Sequence, residues 1–180
     1  DRDLVPEILP VFSNYGQIKA DVADELNLSR EAFVSYKAGD QPNNALSLNV
    51  FEPGEVAATA GTSGVIYAVT DQLVYDQESR VNTFAHVNHD HVQTSLGVLL
   101  CINGTGIQNS WMKKITARGN DYVQINQLAS NIAIGSDGII VLPFGNGAER
   151  MLKNKMVHAH IENIDFVRHD DAHLWRAAQE

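Results

Sequence analysis

The segment Gly61-Thr62-Ser63-Gly64 carries residues suited to holding an anion, and it lies between two apolar runs rich in β-favouring residues. A tight turn between strands needs only one or two such residues, and a hairpin turn is one interpretation of the segment. The other interpretation is a phosphate-binding loop. Glycines let successive backbone N–H groups point inward, while Thr and Ser hydroxyls donate further hydrogen bonds. The segment alone leaves both interpretations open.

A second glycine-rich segment, INGTGIQNSW (residues 102–111), joins an apolar run to a helical pattern. Unpaired N–H groups and the helix dipole favour an anion at a helix N-terminus. The order strand, glycine-rich turn, helix therefore indicates another site at which a phosphate group could bind.

Asp40 is the third candidate, because it follows the run FVSYKAG (residues 33–39), which predicts a strand, and precedes Gln41 and Pro42. Asp before Pro at the start of a helix is often an N-cap, and that is the structural interpretation. In the functional interpretation the strand delivers a carboxylate to the carboxyl edge of a sheet, where α/β proteins bind ligands.

His86, His89 and His91 could bind a metal ion, but no Cys and no second ligand cluster supports them, so an exposed polar loop is favoured. We therefore predict no metal-ligating residues. The sequence also lacks a P-loop, the final glycine of a nucleophile elbow, and the third glycine of a dinucleotide fingerprint.

Composition excludes several classes of partner. The chain has 180 residues, a net charge of −9 and no basic run, which argues against nucleic acid and anionic membranes. No apolar run is long enough to span a membrane. The single cysteine, Cys101, lies in an apolar run and predicts a core residue and a reducing compartment. Because the chain lacks an initiator Met and ends within a helical pattern, we expect an excised piece of a longer protein.

The elements that position these residues alternate between strands and helices, which predicts an α/β fold with a mixed sheet flanked by helices. An extended arm opens the chain. Helices are predicted at 16–27, 43–49, 104–115, 121–133 and from 170, and strands at 33–39, 81–87, 96–103 and 138–144, with a buried hairpin at 55–71. The predicted apolar faces are Ile18/Val22/Leu26, Ile107/Trp111/Ile115, Tyr122/Ile125/Leu128/Ile132 and Leu174/Trp175/Ala178, with Lys113, Lys114 and Arg118 near one helix end.

Three runs resemble the FGGY carbohydrate kinases, and within that family most closely the xylulose kinases. They are AGDQPNNALSLNVFEPGEVAATAGTSGVIYAVTD, RVNTFAHVNH and LGVLLCINGTGIQNSW. The resemblance covers nearly the whole chain in order and spacing. It implies an actin-like (RNase H-like) fold, with residues 1–32 as the tail of the N-terminal domain and residues 33–180 as the first part of the C-terminal, ATP-binding domain.

The resemblance also implies a function: cytoplasmic, ATP- and Mg²⁺-dependent transfer of the γ-phosphate to a ketopentose hydroxyl, D-xylulose giving xylulose 5-phosphate. Asp40 would be the general base and would bind the sugar beside Gln41. The residues implied at the nucleotide are Gly61, Thr62, Ser63, Gly106 and Ser110.

The family's magnesium loop and adenosine-closing segment are absent from this sequence, so we expect the chain alone to be inactive. Alternatives are a kinase for another polyol or gluconate, and a non-catalytic sugar or nucleotide sensor. The residues leave the oligomeric state open, with a homodimer as one option.

Overall fold

The computed structural model describes residues 2–117 and 119–180, so Asp1 and Arg118 lie outside the described residues. The chain divides into two compact units. The first contains the chain up to Ala57 together with Tyr67–Val74 and Thr83–Leu99, and the second contains Ala58–Ile66, Tyr75–Asn82 and Leu100–Glu180.

The described residues form five α-helices and six β-strands, a mixed α/β architecture as the sequence predicts. The helices are α1 (Ala20–Glu25), α2 (Asp40–Ser47), α3 (Thr105–Thr116), α4 (Tyr122–Ser130) and α5 (Asp171–Gln179). Strands β1 (Val56–Ala60), β2 (Gly64–Thr70), β3 (Asn82–Ala85) and β4 (Leu96–Ile102) form a sheet in the order β1-β2-β4-β3. Strands β5 (Ile140–Leu142) and β6 (His160–Glu162) pair antiparallel.

The predicted strand at residues 33–39 is wrong. Its backbone pairs with the extended arm through two isolated bridges, Phe33 with Gln17 and Tyr36 with Phe12. Between them Val34 N donates a hydrogen bond to Gly16 O at 2.9 Å. Gly16 has a φ of +107°, outside the β region, and this left-handed residue interrupts the ladder that a regular strand would need.

The first unit buries His86 completely, so the predicted exposed loop is wrong at this residue. His86 Nε2 donates to Val50 O at 3.0 Å, which fixes the tautomer, and Nδ1 then accepts from the Tyr67 hydroxyl at 3.1 Å. Burial lowers the pKa of His86 below its usual value, against the opposing effect of the Val50 hydrogen bond. Burial also raises the pKa of Tyr67 to about 12.

The second unit has a core where α3, α4 and α5 meet. Its buried members are Met112, Ala117, Ile125, Ala129 and Trp175. Capping boxes start two of these helices, with Asp121 and Gln124 at α4 and Asp170 and His173 at α5. The predicted Asp cap and apolar face of the C-terminal helix are therefore confirmed.

Other predicted apolar faces are partly wrong. On α3, Ile107, Trp111 and Ile115 are 41%, 49% and 54% exposed, whereas their neighbour Met112 is buried. Strand β1 is exposed except at Ala57, so the hairpin is only partly buried. Periodicity identifies an apolar face, but it does not identify the element that covers it. Within the described residues, no helix combines the length and apolarity that a membrane span requires.

Candidate functional site

The β1–β2 hairpin presents the Gly61–Ser63 segment at its tip, as the sequence predicts. Gly61 N donates to Ser63 O at 3.1 Å, which closes the turn. Gly61 and Thr62 are exposed, and Ser63 is half-buried. The tip lies against the first turn of α3, where Ile107 N donates to Thr62 O at 3.1 Å. This bond joins two segments that are far apart in the sequence.

Glycine is required where these segments meet. A Cβ atom on Gly106 would lie 2.0 Å from Gly61 O, and one on Gly64 would lie 2.7 Å from Thr105 Cγ2. Real Cβ atoms essentially never come closer than 3.0 Å to another heavy atom. The structure thus brings together Gly61, Thr62 and Gly106, which the resemblance assigns to one nucleotide.

Two polar atoms beside this contact are buried and have no hydrogen-bond partner among the described residues, Thr105 Oγ1 and Gln108 Nε2. A buried polar group without a partner costs about 1–3 kcal/mol, so such atoms usually bond to water or a ligand. Sequence reasoning missed both residues. The signal for Gln108 was its place one turn into the helix of the GTGIQNSW segment.

Gln108 also lines a cavity of about 300 Å³ in the second unit. The other lining residues are Gly104, Ile107, Trp111, Met112, Val141, Gly145, Ala159 and Ile161. Apolar walls, one indole ring and one amide group suit a flat heterocycle, because the ring stacks on apolar surface while the amide bonds its polar edge.

Ser110 lies on the exposed surface of α3, and its hydroxyl donates to Gly106 O at 3.1 Å. This bond lies within the helix and connects Ser110 to the glycine that contacts the hairpin tip. The predicted role of Ser110 at the nucleotide stays a prediction.

Asp40 is the first residue of α2, and Gly39 occupies the N-cap position. The interpretation of Asp40 as the N-cap is therefore wrong, because the helix starts one residue earlier than that pattern requires. Asp40 is exposed, and its Oδ1 accepts from Gln41 N at 2.7 Å. Asp40 and half-buried Gln41 belong to the first unit, whereas the glycine-rich segments belong to the second.

In the described part of the chain, no three His, Cys, Asp or Glu side chains lie close enough to hold a metal ion. Magnesium stays a prediction from the resemblance.

The chain is similar to known sugar kinases along nearly its whole length. It is 26% identical to the xylulose kinase of Haemophilus influenzae over 178 residues, which cover 99% of this chain and 34% of that protein. It is 25% identical to the gluconokinase of Bacillus subtilis over 183 residues, covering 99% of this chain and 36% of that protein. The chain thus spans about a third of the length of these curated relatives. No family model matches it.

The fold of the chain is also similar to that of a sugar kinase. The crystal structure of xylulose kinase from Rhodospirillum rubrum matches with a TM-score of 0.80 at 24% identity, covering 97% of this chain and 34% of that one. The resemblance to the FGGY-type carbohydrate kinases is therefore confirmed, and the mixed α/β fold is that of part of such a kinase. Within this class, xylulose kinases and a gluconokinase are relatives that match 99% of the chain.

Proposed function

We propose that the chain forms part of an ATP-dependent sugar kinase that transfers the γ-phosphate of ATP to a hydroxyl of a ketopentose. D-Xylulose is the proposed acceptor and xylulose 5-phosphate the product. The observation that carries this proposal is the similarity to a xylulose kinase over 99% of the chain. The glycine contact between the hairpin tip and α3 supports it, because it brings the N–H groups of the tip next to the N-terminus of a helix, where an anion is favoured.

In this proposal residues 1–32 end the N-terminal domain, and residues 33–180 begin the C-terminal, ATP-binding domain. Backbone hydrogen bonds join the two sides of this division, for example Tyr15 N to Val34 O at 2.8 Å and Val34 N to Gly16 O at 2.9 Å. The arm would thus pair with the first residues of the second domain.

The phosphates of ATP would bind at the hairpin tip and the start of α3. Thr62 and Ser63 would donate from their hydroxyl and N–H groups, and Gly106 lies in the first turn of α3, where the helix dipole favours an anion. In phosphoryl transfer the protein mainly positions the reacting groups and stabilises the charge on the phosphate oxygens. Local donors matter because the chain as a whole carries a net charge of −9.

The base of the nucleotide would occupy the cavity beside Gln108. Trp111 and Ile161 lie in its wall and would contact the ring, and Gln108 Nε2 would donate to a ring nitrogen. The buried amide would then gain the hydrogen bond that the described residues do not provide.

Asp40 would act as the general base. Its Oδ1 accepts from Gln41 N, which orients the carboxylate, and Oδ2 is the oxygen that would receive the proton of the attacking sugar hydroxyl. The transferred phosphate would meanwhile be held by Thr62 and the backbone around it. Magnesium, a cytoplasmic location and a homodimer remain predictions from the sequence.

The test is ATP turnover by the intact protein, measured in a coupled assay against D-xylulose, other ketopentoses, glycerol and gluconate. We expect the highest kcat/KM with D-xylulose. Gluconate is the second candidate, because a gluconokinase matches 99% of the chain. ATP binding without turnover of any acceptor would contradict the kinase proposal and favour a sensor.

A further inference from the structure

Glu149 is a fully buried acidic residue outside the glycine-rich segments. Both of its carboxylate oxygens accept from one backbone group, Asn103 N, at 3.1 Å and 3.2 Å. Asn103 follows β4 and stands directly before Gly104, the N-cap of α3. The carboxylate therefore bonds the backbone just ahead of the proposed nucleotide site.

The segment before Glu149 holds the other polar groups of Asn103. Asn103 Nδ2 donates to Ala148 O at 3.0 Å, and Asn146 Nδ2 donates to Asn103 O at 3.0 Å. We call these four residues, Asn103, Asn146, Ala148 and Glu149, the Asn103 clamp. Its hydrogen bonds engage the N–H, the carbonyl and the side chain of one residue.

The clamp is supported on both sides. A Cβ on Gly104 would lie 1.6 Å from Pro143 O, so the segment that leads to the clamp also touches the helix N-cap. On the other side, Glu149 N donates to Lys155 O at 3.1 Å and Asn154 N donates to Glu149 O at 2.9 Å. The backbone of Glu149 is thus fixed independently of its carboxylate.

A carboxylate is a costly choice for this position. Burying a carboxylate whose hydrogen bonds, among the described residues, come from one N–H group is less favourable than burying an uncharged amide of the same shape. The advantage of a carboxylate is a stronger hydrogen bond, because hydrogen bonds to a charged acceptor are stronger than those between neutral groups. The group it holds lies three residues before Gly106, which contacts the hairpin tip.

We infer that Glu149 is a positioning residue for the nucleotide: through Asn103 it sets the place of the first turn of α3 against the Gly61–Ser63 tip. The inference rests on the proposed function. Glu149 would not contact ATP directly, and its effect would pass through the backbone of Asn103, Gly104 and Gly106.

The test compares Glu149→Ala, Glu149→Gln and Asn146→Ala in the intact protein, with Glu162→Gln on the exposed face of β6 as a matched control. Glu149→Ala should raise KM for ATP by about tenfold or more, because a hydrogen bond to a charged group is lost. KM for the sugar and kcat should stay within about twofold. Glu149→Gln keeps an acceptor oxygen and should recover most of the loss. Asn146→Ala should raise KM for ATP by about threefold, the effect of one neutral hydrogen bond.

Hydrogen exchange at the Asn103 amide provides a second measurement. We expect faster exchange there in Glu149→Ala, with Glu162→Gln unchanged. If Glu149→Ala does not fold, the exposed Asn146→Ala decides. Equal rises in KM for ATP and KM for the sugar, or no rise in KM for ATP in folded Glu149→Ala or in Asn146→Ala, would overturn the inference. Wild-type protein that turns over no sugar would instead refute the proposed function, and isothermal titration with ATP would then test the positioning of the nucleotide.

Discussion

Gly106→Ala tests the contact between the hairpin tip and α3. The added Cβ would lie 2.0 Å from Gly61 O, 2.8 Å from Gly61 C and 3.3 Å from Thr62 Cα. All three neighbours are backbone atoms, so no side chain can rotate away. Reaching the closest distance that Cβ atoms normally show, 3.0 Å, requires the tip and the helix to separate by about 1 Å.

That separation has a definite cost. It would stretch the Ile107 N to Thr62 O distance of 3.1 Å beyond hydrogen-bonding range, which costs about 1 kcal/mol. Overpacking adds about 1–3 kcal/mol, and the better helix propensity of Ala returns about 1 kcal/mol. We expect a net loss of about 1–3 kcal/mol in the free energy of unfolding. A displacement of this size should also raise KM for ATP by about 10- to 100-fold.

Urea unfolding and ATP kinetics of the intact protein measure both effects. Lys114→Ala, on the exposed side of the same helix, is the control, because it changes helix propensity without touching the hairpin tip. If Gly106→Ala instead stabilises the protein by the propensity gain alone, and KM for ATP is unchanged, the close contact is not what this position requires.

Three further predictions concern single side chains. Asp40→Asn should change the free energy of unfolding by no more than about 1 kcal/mol, because Asp40 is exposed. It should lower kcat by about 10²–10⁴ with little change in KM for ATP. Near-normal turnover would refute the role of Asp40 as the base. Gln108→Leu should stabilise the protein, because it removes a buried amide nitrogen that has no partner among the described residues, and should raise KM for ATP about tenfold. A stable variant with unchanged KM for ATP would show that the amide does not bind the nucleotide. The pKa of His86 in the folded protein lies below its ordinary value of 6.5, so the unfolded chain binds a proton more readily than the folded one. The contribution of His86 to the free energy of unfolding should therefore be fully present above pH 6.5 and should decrease as the pH falls below it. Urea midpoints between pH 7.5 and about 5 measure this fall, which His86→Gln should lack.

Much of the fold follows from sequence patterns. Turn chemistry at Gly61 and Gly64 predicts the hairpin, a continuous apolar run predicts β4, and an Asp cap predicts α5. The run at 33–39 fails as a strand, because its ladder depends on the arm, where Gly16 adopts a positive φ. Local residue patterns cannot show the conformation of a pairing partner.

The sequence predicts the glycines of the site but not its polar groups. Gly61 and Gly106 stand in two recognisable segments, yet their contact depends on how α3 packs against the hairpin. The sequence does not single out Gln108, because a polar residue indicates a binding site only when packing buries it without a hydrogen-bond partner. The same holds for Glu149, whose burial no local pattern indicates.

The meeting of Gly61 and Gly106 has a consequence for the precision of the proposed site. Where side chains separate two elements, their spacing varies as those side chains exchange rotamers on the picosecond to nanosecond timescale. Here the main chains touch directly, so the van der Waals radii of backbone atoms and the Ile107 N to Thr62 O hydrogen bond set the spacing. Gly61 and Gly106 would then lose no side-chain rotamer entropy when ATP binds, because glycine has no side chain to order.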